Sequence, residues 1–148
     1  MTDTSLTLHR ATGVDPDRVA MLLAANDLPY RDVHESPALF FLASVDGEDV
    51  GVGGLETYGD AGLLRSVVVP AVHRGRGYGS RLRAALEAEA RDHGVETLYL
   101  LTTTAAAFFA RHGYETVERE TVPARIRATT EFDDLCPDSA VCMRKPLR

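Results

Sequence analysis

The chain has 148 residues, 45% of them hydrophobic, and sets 16 basic against 22 acidic side chains for a net charge of −6. That length suits a single domain over residues 1–148 with a sizeable core, and the acidic balance argues against a nucleic-acid-binding surface. No apolar run approaches the roughly 20 residues that a membrane span requires, and the opening Met1-Thr2-Asp3-Thr4 lacks the basic and apolar regions of a signal peptide, so no membrane partner and a cytoplasmic location are expected.

Residues 5–9 alternate apolar and polar side chains and predict a strand. Asp15-Pro16 offers an N-cap and an N1 proline. Val19, Leu22 and Leu23 give the helix that follows, to about Asn26, its apolar face. Residues 28–36 form a connector, with a short helix expected around 31–35. The apolar run 39–45 and residues 50–58 read as the strands of a hairpin across the turn Asp46-Gly47-Glu48-Asp49. Gly53-Gly54 inside the second strand marks a bulge or a close backbone approach. Gly59-Asp60-Ala61-Gly62 then turns the chain into a strand over 63–69.

From Gly77 or Tyr78 to His93 the spacing becomes helical. Leu82, Ala85, Leu86, Ala90 and His93 share one face, and Arg83, Glu87, Arg91 and Asp92 lie mostly on the other. Glu87 and Arg91 form an i,i+4 pair, and Gly94 suits the C′ position. Residues 96–101 predict a buried strand, 105–112 a short helix stopped by Gly113, and 114–117 another strand. Residues 123–129 suggest one or two helical turns with Pro123 at N1, and 141–144 the last strand. This order is α/β or α+β with a mixed sheet, in which 63–101 and 96–117 each read as a strand–helix–strand crossover.

Val67-Val68-Val69-Pro70-Ala71-Val72-His73-Arg74-Gly75-Arg76-Gly77-Tyr78-Gly79-Ser80 carries the most information. A β-branched run enters a glycine- and arginine-rich loop, and an amphipathic helix follows at once. Such a loop offers backbone N–H groups and a positive helix end to an anion. It has no lysine before a Ser or Thr, which excludes a Walker A loop. Gly75-x-Gly77-x-Gly79 has the wrong spacing for a dinucleotide fingerprint, and the next strand ends in Leu101-Thr102-Thr103 rather than in an acid.

Arg74-x-x-Gly77-x-Gly79, after a hydrophobic strand and Pro70, resembles the pyrophosphate loop of the GNAT superfamily, the acyl-CoA-dependent N-acyltransferases. Leu98–Leu101, the helix after it and Gly113-Tyr114-Glu115 look like the next element of that family, so the strong likeness covers residues 63–117. The resemblance implies a mixed, mostly antiparallel sheet flanked by helices, with a strand–loop–helix core for CoA. It implies an N-acetyltransferase that uses acetyl-CoA as co-substrate on a small amine, by direct transfer in a ternary complex, and leaves a homodimer open. The N–H groups of Arg74, Gly75, Arg76, Gly77, Tyr78, Gly79 and Ser80 would bind the pyrophosphate. The backbone of Val67, Val68 and Val69 would pair with the pantetheine arm, and an N–H of Val68 or Val69 would polarise the thioester carbonyl.

The family's usual general acid is a tyrosine four residues before the motif glycine, and here that position is Phe109. Thr102 is a nearby hydroxyl, and Glu56 is the candidate general base or amine orienter. Arg65, on the strand entering the loop, needs an anion: a substrate carboxylate or an internal acid. Tyr58 and Phe41 are candidates to line an acceptor pocket. The segment 126–143, with Leu64-Arg65-Ser66 and 100–104, is similar to GNAT proteins associated with arsenic-resistance operons, which would make Arg127 and Arg65 anion contacts. Cys136 and Cys142 have no zinc-like spacing and the five histidines are scattered, so no metal site is expected. Two other readings compete: an acyl-CoA-binding sensor without catalysis, and an arsenite-binding protein that does not use CoA.

Overall fold

The computed structural model describes residues 6–11, 15–25, 38–103, 105–128 and 140–147. The connector helix expected around 31–35, Cys136 and most of the 126–143 likeness lie outside these residues. Seven strands are found among the described residues, in the sheet order β1-β2-β3-β4-β5-β7-β6. They are β1 (Thr7–Arg10), β2 (Leu39–Val45), β3 (Glu48–Tyr58), β4 (Ala61–Val68), β5 (Thr97–Thr102), β6 (Glu115–Thr116) and β7 (Val141–Pro146). The helices are α1 (Asp15–Ala25), α2 (Tyr78–Asp92), α3 (Ala106–Arg111) and α4 (Ala124–Arg127). The chain divides into two compact units, Met1–Leu55 with Ser66–Ala88, and Glu56–Arg65 with Glu89–Arg148.

In the first unit, β1 and β2 pair antiparallel, as do β2 and β3. The hairpin turn is two residues rather than four, because Asp46 and Gly47 both take positive φ, 52° and 80°. That is the geometry of a type I′ turn, whose twist matches the flanking strands. The register shift falls between Ala43 and Ser44 on β2, not at Gly53-Gly54. Gly53 instead marks a close approach: a Cβ there would stand 2.5 Å from Leu86 Cδ1 of α2. Val19 and Leu23 of α1 pack with Phe40, Leu42, Val52 and Val68. Glu87 is buried and ion-pairs with Arg83 at 2.9 Å, one turn earlier than expected.

In the second unit, β4 runs parallel to β5 over Ala61–Leu63 and Thr97–Tyr99. The end of α2 closes with Val95 N–H on Ala90 O and Gly94 N–H on Arg91 O, both 3.0 Å, with Gly94 at φ 83°. These are the paired bonds of a Schellman motif. Arg91 Nε donates to Leu147 O at 3.1 Å. The second expected crossover, β5–α3–β6, steps over one strand: β7 lies between β5 and β6, antiparallel to both. Pro123 precedes α4 as its N-cap at ψ 140° instead of occupying N1. Tyr99, Val122, Ile126 and Cys142 join Ala61 and Leu63 in this unit's core.

Candidate active site

The loop at residues 67–80 lies in the first unit. β4 ends at Val68, so Val69 lies beyond the strand, and its carbonyl accepts Arg74 Nε at 2.8 Å. Between them a 3-10 turn, Ala71–His73, is closed by His73 N–H on Pro70 O at 2.9 Å. His73 Nε2 reaches Glu48 Oε1 of β3 at 3.1 Å. Gly75 and Gly77 take φ 83° and 78°, and a Cβ at either would meet nothing within 4 Å. Glycine is needed at both for backbone conformation, not for space. The first turn of α2 closes with Arg81 N–H on Gly77 O at 3.3 Å. The N–H groups of Tyr78, Gly79 and Ser80 therefore precede the intrahelical ladder, at the positive end of a 15-residue helix. Arg74 and Arg76 are exposed, whereas Tyr78 is buried with its ring 6.4 Å from that of His73. The loop thus offers backbone donors and exposed guanidinium charge to an anion.

A second constellation lies in the other unit. Glu56 and Tyr58 stand two apart near the end of β3, so the pleat puts both on one face. Tyr58 Oη donates to Glu56 Oε1. Arg65 Nη1 of β4 donates to the other oxygen, Oε2, at 3.3 Å. The side chains of Arg65 and Glu56 are only 0% and 4% exposed, so a buried cation faces a buried carboxylate. Of the two anions that would explain Arg65, the structure supplies the internal one. Burial, then the hydrogen bond to Glu56 and its charge, push the Tyr58 phenol well above its ordinary range, with Arg65 and Arg125 opposing. Arg125 escaped the sequence reading: from α4, its Nη2 donates to Tyr58 O at 3.1 Å. Its contact depends on where α4 docks, and the short run 123–129 carries no signal of that.

The remaining candidates have surroundings of their own. Thr102 Oγ1 accepts Ala105 N–H at 3.0 Å, ahead of α3. Arg127 is exposed at the end of α4, and Phe41 is buried in β2. Phe109 is buried edge-on to Tyr114, with ring centroids 5.2 Å apart, and Tyr114 is itself buried under Lys145. Cys142 is a buried thiol, held above its ordinary pKa by burial, with Arg119 opposing. Among the described residues no group of three His, Cys, Asp or Glu side chains is placed to hold a metal ion, and no helix is long and apolar enough to cross a membrane.

Ser66 also went unseen in the sequence. It sits buried within β4 at φ 59°, between Arg65 and Val67. A left-handed non-glycine residue costs on the order of 1–3 kcal/mol and persists only where its surroundings hold it. The sequence of 63–69 gives no hint of it, since serine has no special preference for that region.

A family model described as "Acetyltransferase (GNAT) domain" matches residues 36–116, more than half of the sequence, and the chain belongs to that family. An amino-acid acetyltransferase of Mycobacterium tuberculosis is 33% identical over 105 residues, covering 70% of this chain and 53% of the relative. The chain spans about half the length of that relative, and 15% of the length of the amino-acid acetyltransferase of Ectopseudomonas mendocina. Among solved structures, N-acetylglutamate synthase of Neisseria gonorrhoeae, complexed with coenzyme A and N-acetyl-glutamate, superposes with TM-score 0.81 at 22% identity, over 99% of this chain and 36% of the other. Rv2747 of M. tuberculosis, solved in complex with CoA, superposes with TM-score 0.79 at 26% identity, over 96% of this chain and 99% of the other. The fold is therefore the GNAT fold: a mixed, mostly antiparallel seven-stranded sheet with flanking helices.

Proposed function

We propose that the chain is a single-domain, cytoplasmic N-acetyltransferase that moves the acetyl group of acetyl-CoA to a small, amino-acid-like amine in a ternary complex. The observation that carries this reading is the loop at Gly75 and Gly77, whose positive φ and open surroundings present backbone donors next to the start of α2. Residues Arg74 through Ser80 take the pyrophosphate. The backbone of Val67 and Val68 runs along the pantetheine arm. Val69 serves by its N–H, since its carbonyl is engaged by Arg74. Orienting the two reactants removes about 7–11 kcal/mol of barrier in well-aligned cases.

Support for an amino-acid-like acceptor comes from the amino-acid acetyltransferase named among the relatives. With Arg65 facing Glu56, the acceptor's anionic group goes to the exposed Arg127 and to Arg125. Likeness to the arsenic-associated subgroup adds phosphinic and arsinic amino acids to the acceptors worth testing. A CoA-independent arsenite site is disfavoured, because burial keeps the Cys142 thiol protonated and soft ions bind thiolates. Acetyl-CoA at 100 times its Kd should stabilise the fold by about 2.7 kcal/mol. An unchanged melting temperature at millimolar acetyl-CoA would sink the CoA assignment.

One observation favours a second reading, an acyl-CoA-binding domain without turnover: Phe109 occupies the position of the usual acid and is packed against Tyr114. Thiol release with amino acids, phosphinothricin-like compounds and polyamines separates the two. Binding without release across the panel would select the sensor.

A further inference from the structure

His73 closes the 3-10 turn that enters the loop, and it is held from three directions. Its N–H donates to Pro70 O at 2.9 Å, its ring lies 6.4 Å from that of Tyr78 at the start of α2, and its Nε2 stands 3.1 Å from Glu48 Oε1. The His73 side chain is 13% exposed and that of Glu48 67%. Glu48 opens β3 opposite Val45, across the two-residue turn, so strand pairing fixes where its side chain starts. Three residues on, Gly51 brings β3 against the entry to the loop. A Cβ there would stand 3.0 Å from Val68 O, 3.6 Å from Val69 Cγ2 and 3.0 Å from Leu82 Cδ2 of α2. All of these residues belong to the first compact unit. By charge alone, a carboxylate in contact with an anion-binding loop works against binding. Its place is explained by a hold on the loop: an imidazole with a proton on Nε2, neutral or charged, donates to that oxygen.

We propose that Glu48 and His73 are positioning residues for acetyl-CoA: through this pair the turn end of the β2–β3 hairpin clamps the loop in its binding shape. The pair acts through the loop backbone and not on the reacting atoms. This rests on the reading of residues 74–80 as the pyrophosphate site. Gly75 and Gly77 follow His73 by two and four positions, at φ 83° and 78°. Glycine loses more conformational freedom on ordering than any other residue, so a loop built on two of them is costly to fix. With His73 anchored at one end and the buried Tyr78 at the other, only residues 74–77 are left for acetyl-CoA to order. Arg74 Nε on Val69 O, at 2.8 Å, ties that short stretch back to the end of β4. Ordering done before the ligand arrives is ordering that binding does not have to supply. A hairpin turn that carries no ligand contact of its own thereby sets the affinity for the co-substrate.

The test measures the acetyl-CoA Kd by titration calorimetry for wild type, Glu48→Ala, His73→Ala and the double variant, with Gly77→Val as the reference for a spoiled loop. Exposed ion pairs are individually weak, so the clamp predicts a rise in Kd of at least about twofold in Glu48→Ala. The urea midpoint should stay where it is, because the side chain is exposed. The sign of the change decides the matter. Charge alone predicts tighter binding of a polyanion once the acid is gone, whereas loss of the clamp predicts weaker binding. The double variant should bind no more weakly than His73→Ala, since the two residues share one interaction. A Kd in Glu48→Ala that falls or rises less than about twofold overturns the clamp. So does a rise that comes with a lowered midpoint, or losses that add in the double variant. In each of those cases a Gly77→Val that has lost acetyl-CoA leaves the loop reading standing. A Gly77→Val that keeps wild-type affinity brings down both.

Discussion

Residues 67–80 and the trio Glu56, Tyr58 and Arg65 are built by opposite means. The loop works with its backbone: two left-handed glycines, exposed arginines and the start of a helix. The trio works with side chains, two of them almost wholly buried, joined by hydrogen bonds across two strands. An anion cradle made of peptide groups tolerates solvent because the partial charges are fixed in place by the chain. A buried carboxylate needs neighbours to hold it, and burial makes each neighbour matter more. Damage to the loop should therefore appear as lost binding, and damage to the trio as lost stability or lost turnover.

The largest effect expected is Glu56→Ala. Removing a carboxylate from beside a buried guanidinium costs about 3 kcal/mol or more, read as a lowered midpoint in urea. A midpoint shift worth less than about 1 kcal/mol would show that the trio resembles the loop in its independence from the fold. Gly77→Val comes next. At φ 78° a side chain costs about 1–2 kcal/mol, and the acetyl-CoA-induced rise in melting temperature should vanish. A variant that keeps the full rise would remove the loop from the CoA site.

A smaller effect concerns alkaline stability. The folded chain holds the Tyr58 proton above the ordinary tyrosine pKa of 10.0, so the unfolded chain releases it first as pH rises. The contribution is complete below pH 10 and is lost as pH climbs toward the folded value. Cys142, raised from 9.0 by burial, acts with the same sign from about one unit lower. Melting curves from pH 8 to 11 should fall less steeply for Tyr58→Phe than for wild type, and parallel curves would show that the phenol carries no such linkage. The smallest change in stability belongs to Arg127→Ala, within about 0.5 kcal/mol, because the side chain is exposed. Its KM should rise several-fold for carboxylated acceptors and stay level for neutral amines. Equal changes for both would free Arg127 of any part in recognition.

Much of the fold was legible because its signals are local. The apolar face of α2, the helix stop at Gly94 and the 39–45 strand depend on side chains within a few positions of one another. Distant segments decided what the local signals left open. Gly53 could be a bulge or a close approach until Leu86 is found against it, and the crossover through α3 steps over β7, which lies between β5 and β6. The loop was legible for the same reason as the helices: left-handed φ at Gly75 and Gly77 is a property of those residues and their immediate neighbours.

Sequence alone therefore determined the order of elements, the mixed sheet and the glycine-built loop, since backbone conformation is encoded residue by residue. Only the tertiary structure decided what Arg65 faces, that Glu56 is buried with Tyr58 bonded to its Oε1, and that Arg125 of α4 grips the Tyr58 backbone. Those are contacts between residues 2, 9 and 67 positions apart. The last two depend on strand pairing and helix docking, and docking geometry is set by the packing of the whole core rather than by any one segment.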